Sequence, residues 1–432
     1  MKRTLIADVP KKKQVCLQGW CHDLRDLSKV KFILLRDSSG VVQCVVKAES
    51  KAAKNFSELT AESVISIEGS VKAASVKSPE VSINDFEVDV EFLTLMNKSE
   101  ALPIQVYEKD KTIQTDISVR LDNRSLDLRK KKIRAIFKIQ SEISMSFREY
   151  FKKEDFLEIQ CPSIIASASE GGTELFPVSY FEKKAYLAQS PQLYKQLCAI
   201  SLERVFTITP VWRAEKHNTI RHLNESRQMD IEAAFHDDIQ VMKHLEKAVQ
   251  FIVESVLKNC KHELAVLGLS LNVPRAEYLT YDETLKVLAK HGIKLKNGDD
   301  LSPESEKKLC ELYPESIVFV HSWPLSLKPF YILPKSLSKT EKMSKGFDAL
   351  YGGIEISSGG QRVHLPEVLI KQLKEKGLNP GNFKFYVDSF RVGAPEHSGW
   401  SIGLERFTMA LLKLDNIREA CLFPRDRDRL TP

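Results

Sequence analysis

The chain is 432 residues long, enough for two or three domains with a large core, and its formal net charge is +6 with 28% charged residues. This mildly basic balance is compatible with nucleic acid as a partner but does not establish one. The eight cysteines form no CxxC pair and lie at no zinc-like spacing to histidine, which argues against a disulfide framework and a zinc site. No stretch is long and apolar enough for a signal peptide or a membrane span, so we expect a cytoplasmic protein with reduced thiols and no membrane association.

The first hundred residues show strand patterns. Five short apolar stretches surround one helical stretch at 51–61, and a turn signal, Ser38-Ser39-Gly40, joins two of them. The strand stretches are 15–20, 31–37, 41–46, 64–71 and 81–93. In the last stretch, apolar residues alternate from Phe86 to Phe92 and are predicted to share one face. This order predicts a small all-β barrel of the OB type, a fold that binds single-stranded nucleic acid through exposed aromatics but also occurs as a purely structural module.

A weakly patterned, charged segment at 101–130 is predicted to be a hinge. A strong helix then begins near Lys131, because apolar residues recur at helical spacing up to Phe151. The strand pattern at 156–165 is interrupted by Pro162, which lacks a backbone donor and therefore belongs at a sheet edge. Such an edge is a place where a second subunit could dock.

The stretch 206–235 is predicted to be two strands joined by a long charged loop. Apolar residues alternate from Thr207 to Trp212 and again from Met229 to Phe235. The loop between them carries Arg213, Glu215, Lys216, His217, Arg221, His222 and Glu225. A simple hairpin needs only a short turn, so a loop of this length and charge indicates a site for a polyanion together with an ammonium group. Taken alone, the stretch is equally compatible with a solvated surface hairpin.

The rest of the chain mixes helix and strand patterns. Helices are predicted at 241–256 and 366–376, the latter ending at Gly377, and a closing helix begins at Gly403. Strands are predicted at 316–324, 329–333, 352–359 and 382–390. Hairpins without a regular βαβ repeat favour an α+β fold with an antiparallel sheet, and residues 131–432 are predicted to form this domain.

Two short motifs suggest a different family. EKMSKGF at 341–347 is similar to the lysine loop of class I aminoacyl-tRNA synthetases, and HGIK at 291–294 is similar to their histidine motif. The histidine motif stands in the wrong order, far from the N-terminus, and no glycine-rich turn of the Rossmann kind precedes it. We interpret both similarities as coincidental.

Larger motifs carry a resemblance over nearly the whole chain. They are RLDNRSLDLR (120–129), SASEGGTELFPVSYF (167–181), AYLAQSPQLYKQ (185–196), VWRAEKHNTIRHLNE (211–225), EISSGGQRVH (355–364), SIGLERF (401–407) and LFPRDRDRLTP (422–432). In these motifs, their order and their spacing, the chain resembles the aspartyl-tRNA synthetases of the archaeal and eukaryotic-cytosolic type, in class II. The resemblance implies ATP-dependent activation of L-aspartate to aspartyl-adenylate, followed by transfer to the 3′ end of tRNA-Asp. It also implies an anticodon-binding OB domain (1–100), a class II catalytic domain (131–432) with helices flanking its antiparallel sheet, and a homodimer formed around Pro162.

The resemblance also implies which residues bind ATP. Arg213, at the α-phosphate, and Arg406, over the adenine and the γ-phosphate, are the implied catalytic residues, since a guanidinium suits charge stabilisation at phosphate. Glu215 would read the adenine amino group. The full implied ATP-binding set is Arg213, Glu215, Arg221, His222, Leu223, Glu355 and Arg406. Mg²⁺ is the implied metal, held by Asp348, Glu355 and Ser358, because this hard cation prefers oxygen ligands.

A second implied set binds L-aspartate. It consists of Ser169, Glu170, Gln192, Lys195, Asp230, Ser358 and Arg362. Arg362 would pair bidentately with the side-chain carboxylate, Lys195 would add a second positive charge, and Asp230 would take the α-ammonium. The related asparaginyl-tRNA synthetases lack a lysine at this position. Beside the neutral amide of asparagine, a buried lysine is expected to lack a counter-charge, so Lys195 favours aspartate as the substrate. We also expect Arg362→Ala to leave folding intact, because the vacated site would open to water.

In the barrel, the resemblance implies tRNA contacts by Arg25, Phe32 and Gln43, with Phe32 stacking on an anticodon base. From the residues alone, a core aromatic is the favoured interpretation of Phe32, and the resemblance reverses that preference. The resemblance leaves open whether tRNA-Asn is also charged. His22 lies at a position where family members that charge both tRNAs tend to differ from those that charge only tRNA-Asp, and it favours charging of both.

The chain departs from the family pattern in several places near the implied ATP site. Ser226 stands where many relatives carry a phenylalanine, and Glu396 and Ser401 replace residues of the usual PPHGGFGLG motif. Two other functions therefore remain as alternatives. One is asparagine-specific ligation, which the lysine at 195 argues against. The other is a non-catalytic paralogue that binds only nucleic acid, which the nearly complete set of implied site residues argues against.

Overall fold

The computed structural model describes residues 2–107, 115–166, 174–338 and 340–432. The chain forms two compact units, residues 1–130 and residues 131–432. Within the described ranges, none of the helices combines the length and the apolar character needed to span a bilayer. Ser169 and Glu170, two of the predicted aspartate-binding residues, lie outside the described residues.

The first unit contains a closed five-stranded barrel in the order β1-β2-β3-β5-β4, which confirms the predicted barrel. Its elements are β1 (Gln14–Leu27), β2 (Val30–Arg36), β3 (Val41–Lys47), α1 (Ala52–Phe56), β4 (Val64–Ala73) and β5 (Phe86–Asn97). A 3₁₀ helix at Ile6–Lys11 precedes them. The core is filled by apolar side chains that alternate along the strands, such as Ile33, Leu35 and Ile65.

The face predicted for the last barrel strand is wrong at one position. Val88 and Val90 are buried in the core, but Phe92 is 61% exposed. The register of β5 against β4 shifts just before Phe92, and such a bulge inserts one residue and reverses the alternation of side chains. Leu93 takes the core position instead.

Two short helices, α2 (Ile117–Asp122) and α3 (Arg124–Asp127), occupy the end of the segment predicted to be a hinge. They are tied together by Asp127, whose fully buried carboxylate accepts hydrogen bonds from Arg120 Nε at 3.0 Å and Arg124 Nη1 at 2.7 Å. The hinge role of this segment stays a prediction.

The second unit is built on an eight-stranded sheet. In chain order its helices and strands are α4 (Lys131–Lys153), β6 (Leu157–Glu158), β7 (Ile164–Ile165), β8 (Pro177–Tyr180), β9 (Lys183–Leu187), α5 (Gln192–Leu202), β10 (Arg204–Trp212), β11 (Glu225–Ala234), α6 (Asp238–Asn259), α7 (Lys261–Leu267), β12 (Arg275–Thr280), α8 (Tyr281–Lys290), α9 (Pro303–Leu312), β13 (Ser316–His321), β14 (Gly346–Tyr351), β15 (Ile354–Gln361), α10 (Pro366–Glu375), α11 (Lys384–Phe390), β16 (His397–Gly403) and α12 (Leu404–Leu412). Short 3₁₀ helices lie at Leu325–Leu327, Pro380–Phe383 and Ile417–Ala420.

The strand order of this sheet is β12-β13-β14-β15-β16-β11-β10-β6. The strands from β13 to β10 pair antiparallel, so the predicted α+β fold with an antiparallel sheet is confirmed at its centre. The pairs at the two edges, β12 with β13 and β10 with β6, are parallel. Between β12 and β13 the helices α8 and α9 form the crossover connection that a parallel pair requires. A separate three-stranded sheet has the order β7-β9-β8.

Helix α4 packs against one face of the sheet through aromatic residues. Phe147 and Phe151 lie 6.2 and 5.6 Å from the Trp400 ring of β16, and all three are buried. Since side chains alternate along a strand, Ser401 next to Trp400 belongs to the opposite face. That face carries the site described below.

Two predicted strands are wrong. Residues 384–390 form helix α11, because Phe383, Tyr386, Val387 and Phe390 are the buried positions and their spacing is helical rather than alternating. Residues 329–333 form a turn with one isolated bridge, from Ile332 to Arg362, and no ladder, consistent with the missing backbone donor of Pro329.

Candidate active site

A cavity of about 280 Å³ lies over the centre of the large sheet. It gathers most of the residues predicted to bind ATP and aspartate. Those lining it are Gln192, Lys195, Arg213, Glu215, Arg221, His222, Leu223, Asp230, Glu355, Ser358, Arg362 and Arg406. Asp348, a predicted metal ligand, does not line the cavity, although it is the residue directly opposite Ser358 on the neighbouring strand.

Two buried cations lie at one end of the cavity. Lys195 Nζ is 2.8 Å from Asp230 Oδ1, 3.2 Å from the Trp400 carbonyl oxygen and 3.5 Å from Glu232 Oε2. Arg362 donates from Nε and Nη2 to the two carboxylate oxygens of Glu232, at 2.8 and 3.2 Å. The side chains of this cluster are at most 3% exposed, so its two positive and two negative charges balance inside the protein.

Glu232 is the residue that the sequence predictions missed. It lies two positions after Asp230 on β11, and this spacing on one strand face was the signal that could have found it. Its carboxylate fits over Gly399, where an added Cβ would lie 2.2 Å from Glu232 Oε2. Burial alone would raise the pKa of Glu232, but the charges of Arg362 and Lys195 outweigh burial and lower it.

This cluster overturns two expectations. Lys195 already has counter-charges in Asp230 and Glu232, so a neutral substrate amide would not leave it uncompensated. Arg362 is 2% exposed and paired with Glu232, so its removal leaves a buried carboxylate and is expected to weaken folding. Burial raises the pKa of Asp230, and Lys195 offsets this only in part.

The other end of the cavity carries the residues predicted to bind ATP. Arg406 Nη1 donates to the Glu355 carbonyl oxygen at 3.3 Å, and Arg221 Nη1 lies 3.4 Å from Glu306 Oε2. Among the described residues, the Arg213 guanidinium has no hydrogen-bond or ion-pair partner, which leaves its donors for a ligand. Partial burial lowers the pKa of His222, and the nearby Glu215 opposes this shift.

The charged loop between β10 and β11 is held by the chain after α12. Arg418 donates to the Thr219 carbonyl oxygen at 3.1 Å, to Asn218 Oδ1 at 2.5 Å and to Asp426 Oδ2 at 2.6 Å. Within the loop, Asn224 Nδ2 bonds the Arg213 and Glu215 carbonyl oxygens at 2.7 and 2.9 Å, and its backbone nitrogen bonds the Arg425 carbonyl oxygen at 2.8 Å. The loop that carries the predicted phosphate and adenine residues is therefore held by hydrogen bonds, although residues 216–220 at its centre are exposed.

The predicted metal ligands are only partly assembled. Asp348 Oδ2 accepts a hydrogen bond from Lys328 Nζ at 2.6 Å, and both residues are buried. Desolvation and the charge of Asp348 raise the pKa of Glu355 to about 7. Among the described residues, no group of three histidine, cysteine or acidic side chains is close enough to hold a metal ion by itself.

The three predicted tRNA residues share the outer face of the barrel. Arg25 and Phe32 are directly opposite each other on β1 and β2, and Gln43 pairs with Leu34 one position further along the same face. Phe32 is half-buried and lies outside the apolar core of the barrel. Arg25 bonds Asp23 at 3.2 Å, and Gln43 bonds Glu87 at 2.9 Å.

Comparison with known proteins decides the family. A family model described as tRNA synthetases class II (D, K and N) matches residues 116–427, and one described as OB-fold nucleic acid binding domain matches residues 15–89. The chain belongs to the class II tRNA synthetases. The fold agrees with this assignment in its barrel and in its mixed sheet. The class I similarity of EKMSKGF is coincidental, since that segment runs into strand β14 of this sheet.

Individual relatives of this synthetase are similar over nearly their whole length. A protein of Methanocaldococcus jannaschii named aspartate–tRNA(Asp/Asn) ligase is 44% identical, with 97% of this chain and 95% of that protein covered. One of Thermoplasma acidophilum named aspartate–tRNA(Asp) ligase is 40% identical, with 97% and 96% covered. The solved asparaginyl-tRNA synthetase of Pyrococcus horikoshii in complex with asparaginyl-adenylate is 32% identical, covers all of both chains and superimposes with a TM-score of 0.93.

The Arg362–Glu232 pair predicts a large loss of stability when one partner is removed. We expect Arg362→Ala to lower the free energy of unfolding by about 3–5 kcal/mol, because Glu232 remains buried. In a double-mutant cycle with Glu232→Gln, measured by urea denaturation, the double variant of the synthetase should lose less than the sum of the single variants. Arg391→Ala, which breaks the exposed Arg391–Glu367 pair, is the control and should cost less than about 1 kcal/mol. If the losses of the two single variants simply add in the double variant, Arg362 and Glu232 do not stabilise each other as stated.

Glu405, which lines the cavity and is 5% exposed, predicts a pH effect on stability. Burial raises the pKa of its carboxyl from 4.5 to about 7. The unfolded chain therefore ionises first, so this group's stabilising contribution is complete below pH 4.5 and is lost as the pH rises through 7. Glu405→Gln should gain stability relative to the parent by up to about 3 kcal/mol between pH 4.5 and 8, as measured by urea denaturation across pH. Parallel pH curves for the two proteins would show that this carboxyl does not titrate as stated.

Proposed function

We propose that this synthetase is an aspartate–tRNA ligase that activates L-aspartate with ATP and transfers it to the 3′ end of tRNA-Asp. The observation that carries the proposal is the pair of buried cations, Lys195 and Arg362, at one end of a cavity whose other end holds Arg213 and Arg406. The names of the curated relatives agree with it. The similar asparaginyl structure has the same fold, so fold alone does not distinguish the two amino acids.

Hydrogen-bond chemistry supports aspartate over asparagine. Lysine and arginine side chains have donors and no acceptors. A side-chain carboxylate between Lys195 and Arg362 would offer acceptor oxygens to both. An amide has only one acceptor oxygen, and its NH₂ group would face donors and remain unpaired, which is costly in a buried site. Because Lys195 has counter-charges of its own, the preference for aspartate comes from the match of donors and acceptors and not from a missing counter-charge.

The reaction divides into two displacements. In the first, an oxygen of the aspartate α-carboxylate attacks the α-phosphorus of ATP, and the bond to the β-phosphate oxygen breaks to release pyrophosphate. In the second, a ribose hydroxyl at the 3′ end of tRNA attacks the acyl carbon and AMP leaves. The α-carboxylate is already ionised, so the first step needs positioning and charge stabilisation rather than a base. The Arg213 guanidinium is suited to the phosphate, and Asp230 to the α-ammonium.

The residues present fit Mg²⁺ held jointly with ATP. Mg²⁺ is commonly bound by one or two carboxylates together with substrate phosphates. Glu355 and Ser358 line the cavity, and Asp348 would exchange its bond with Lys328 for one to the ion. When bound, the ion would neutralise negative charge on the phosphates.

Features outside the cavity support the remaining parts of the proposal. The outer barrel face with Arg25, Phe32 and Gln43 would bind the anticodon loop. A homodimer around Pro162 is supported by two exposed apolar residues that flank it: Leu157, 53% exposed in the last strand of the large sheet, and Ile164, 45% exposed in the end strand β7 of the three-stranded sheet. A cytoplasmic location is consistent with the eight free cysteines.

The decisive experiment is ATP–pyrophosphate exchange with each amino acid in turn. We expect exchange with aspartate and at least 100-fold less with asparagine. Lys195→Met should lower kcat/KM for aspartate by about 100-fold or more and leave KM for ATP within about threefold, because the lysine lies at the amino-acid end of the cavity. Preferred exchange with asparagine would establish the asparagine alternative, and no exchange with any amino acid would establish the non-catalytic one.

Phe32→Ala should lower the rate of tRNA-Asp charging by about tenfold or more, because stacking on a base is worth about 1–3 kcal/mol. Aspartate-dependent pyrophosphate exchange should remain unchanged. Ile33→Ala, in the barrel core, is the comparison variant that perturbs folding of the barrel instead. Charging of tRNA-Asn by the parent, tested in the same assay, would show whether specificity is relaxed. Undiminished charging by Phe32→Ala would remove this residue from the tRNA site.

A further inference from the structure

A hydroxyl group on the floor of the cavity lies next to the residue proposed to bind the α-ammonium. Ser401 lines the cavity and is directly opposite Asp230 in the pairing of β16 with β11. Residues paired in this way project from the same face of a sheet. The Ser401 hydroxyl donates a hydrogen bond to Asp230 Oδ2 over 3.2 Å.

The two oxygens of Asp230 are thus held from two sides. Lys195 bonds Oδ1 at 2.8 Å, and Ser401 bonds Oδ2. An ionised carboxylate accepts about four hydrogen bonds, so acceptor sites remain for a ligand. Both Asp230 and Ser401 line the cavity, whereas Glu232 does not. The Asp230–Ser401 pair therefore has acceptor capacity left for a ligand in the cavity, as does the neighbouring Gln228, whose buried Oε1 has no hydrogen-bond partner among the described residues.

Ser401 has acceptor capacity of its own. A hydroxyl has one donor and two acceptor lone pairs, and the donor is used on Asp230. Donation to a carboxylate also polarises the hydroxyl and makes its oxygen a better acceptor. On its other side, Ser401 is directly opposite Ser358 of β15, which also lines the cavity. The serine therefore stands between the Asp230 carboxylate and the Ser358 hydroxyl on one row of the sheet.

We propose that Ser401 is a further amino-acid-binding residue, whose oxygen accepts a hydrogen bond from the substrate's α-ammonium while its hydroxyl orients Asp230. An ammonium has three donors, and Asp230 Oδ2 with Ser401 Oγ offers two adjacent acceptors. The inference rests on the proposed function and adds a residue to its amino-acid subsite. Ser401 is also one of the positions at which the chain departs from the family pattern.

The test compares a substrate that has the ammonium with an analogue that lacks it. L-aspartate is the substrate in ATP–pyrophosphate exchange, and succinate, which keeps both carboxylates but has no α-ammonium, is used as a competitive inhibitor. Ser401→Ala should raise KM for aspartate about 10- to 100-fold, the range for a hydrogen bond to a charged group. KM for ATP and the inhibition constant of succinate should stay within about threefold of the parent values.

The control is Ser398→Ala on the same strand. Ser398 does not line the cavity and donates to the His236 carbonyl oxygen at 2.5 Å, so KM for aspartate should not change. Equal weakening of aspartate and succinate by Ser401→Ala would overturn the inference, since it would indicate a general distortion of the site. An unchanged KM for aspartate would overturn it as well. A parent protein without aspartate exchange would instead refute the proposed function.

Discussion

The arrangement of the site depends on one buried cluster of four charges. Lys195 comes from α5, Asp230 and Glu232 come from β11, and Arg362 follows β15, so the cluster joins three parts of the fold. Desolvating charges is costly, and the cost is offset only when each charge has a well-placed partner. Here each carboxylate has a cation within hydrogen-bond distance. The shape of this end of the cavity is therefore held by the protein's own charges, and the residues proposed to bind the amino acid also contribute to folding.

Preorganisation has a consequence for selectivity. Because the cations are fixed by the protein's own carboxylates, a ligand does not have to bring order to long, flexible side chains. The ligand must instead match the donors that remain. This makes the geometry of hydrogen bonds, rather than net charge, the property that separates a carboxylate from an amide at this position.

Much of this organisation could be predicted from the sequence, because it depends on the periodicity of apolar residues and on short motifs. The barrel, the long helix α4 and the hairpin of β10 and β11 follow from periodicity, and the resemblance to the family located 12 of the 26 residues that line the cavity. The failures have local causes. A bulge that cannot be read from alternation turned Phe92 outward, and the segment at 384–390 satisfies both strand and helix patterns until its packing is known. Glu232 is a different case: its position two residues after Asp230 is visible in the sequence, but its pairing with Arg362, 130 residues away, is not.

The hydrogen bonds that Arg418 donates to the charged loop, and the one that the Arg425 carbonyl oxygen accepts from it, also constrain when that loop can take its shape. The loop ends at residue 224, yet the groups that hold it lie some 200 residues later in the chain. During synthesis, β10 and β11 can pair as soon as they emerge, since a hairpin is a local structure. The loop between them must wait for residues 416–428 before it is tied down. A nascent chain would thus have a nearly complete sheet and no ordered charged loop, so the proposed ATP site would be completed among the final events of folding.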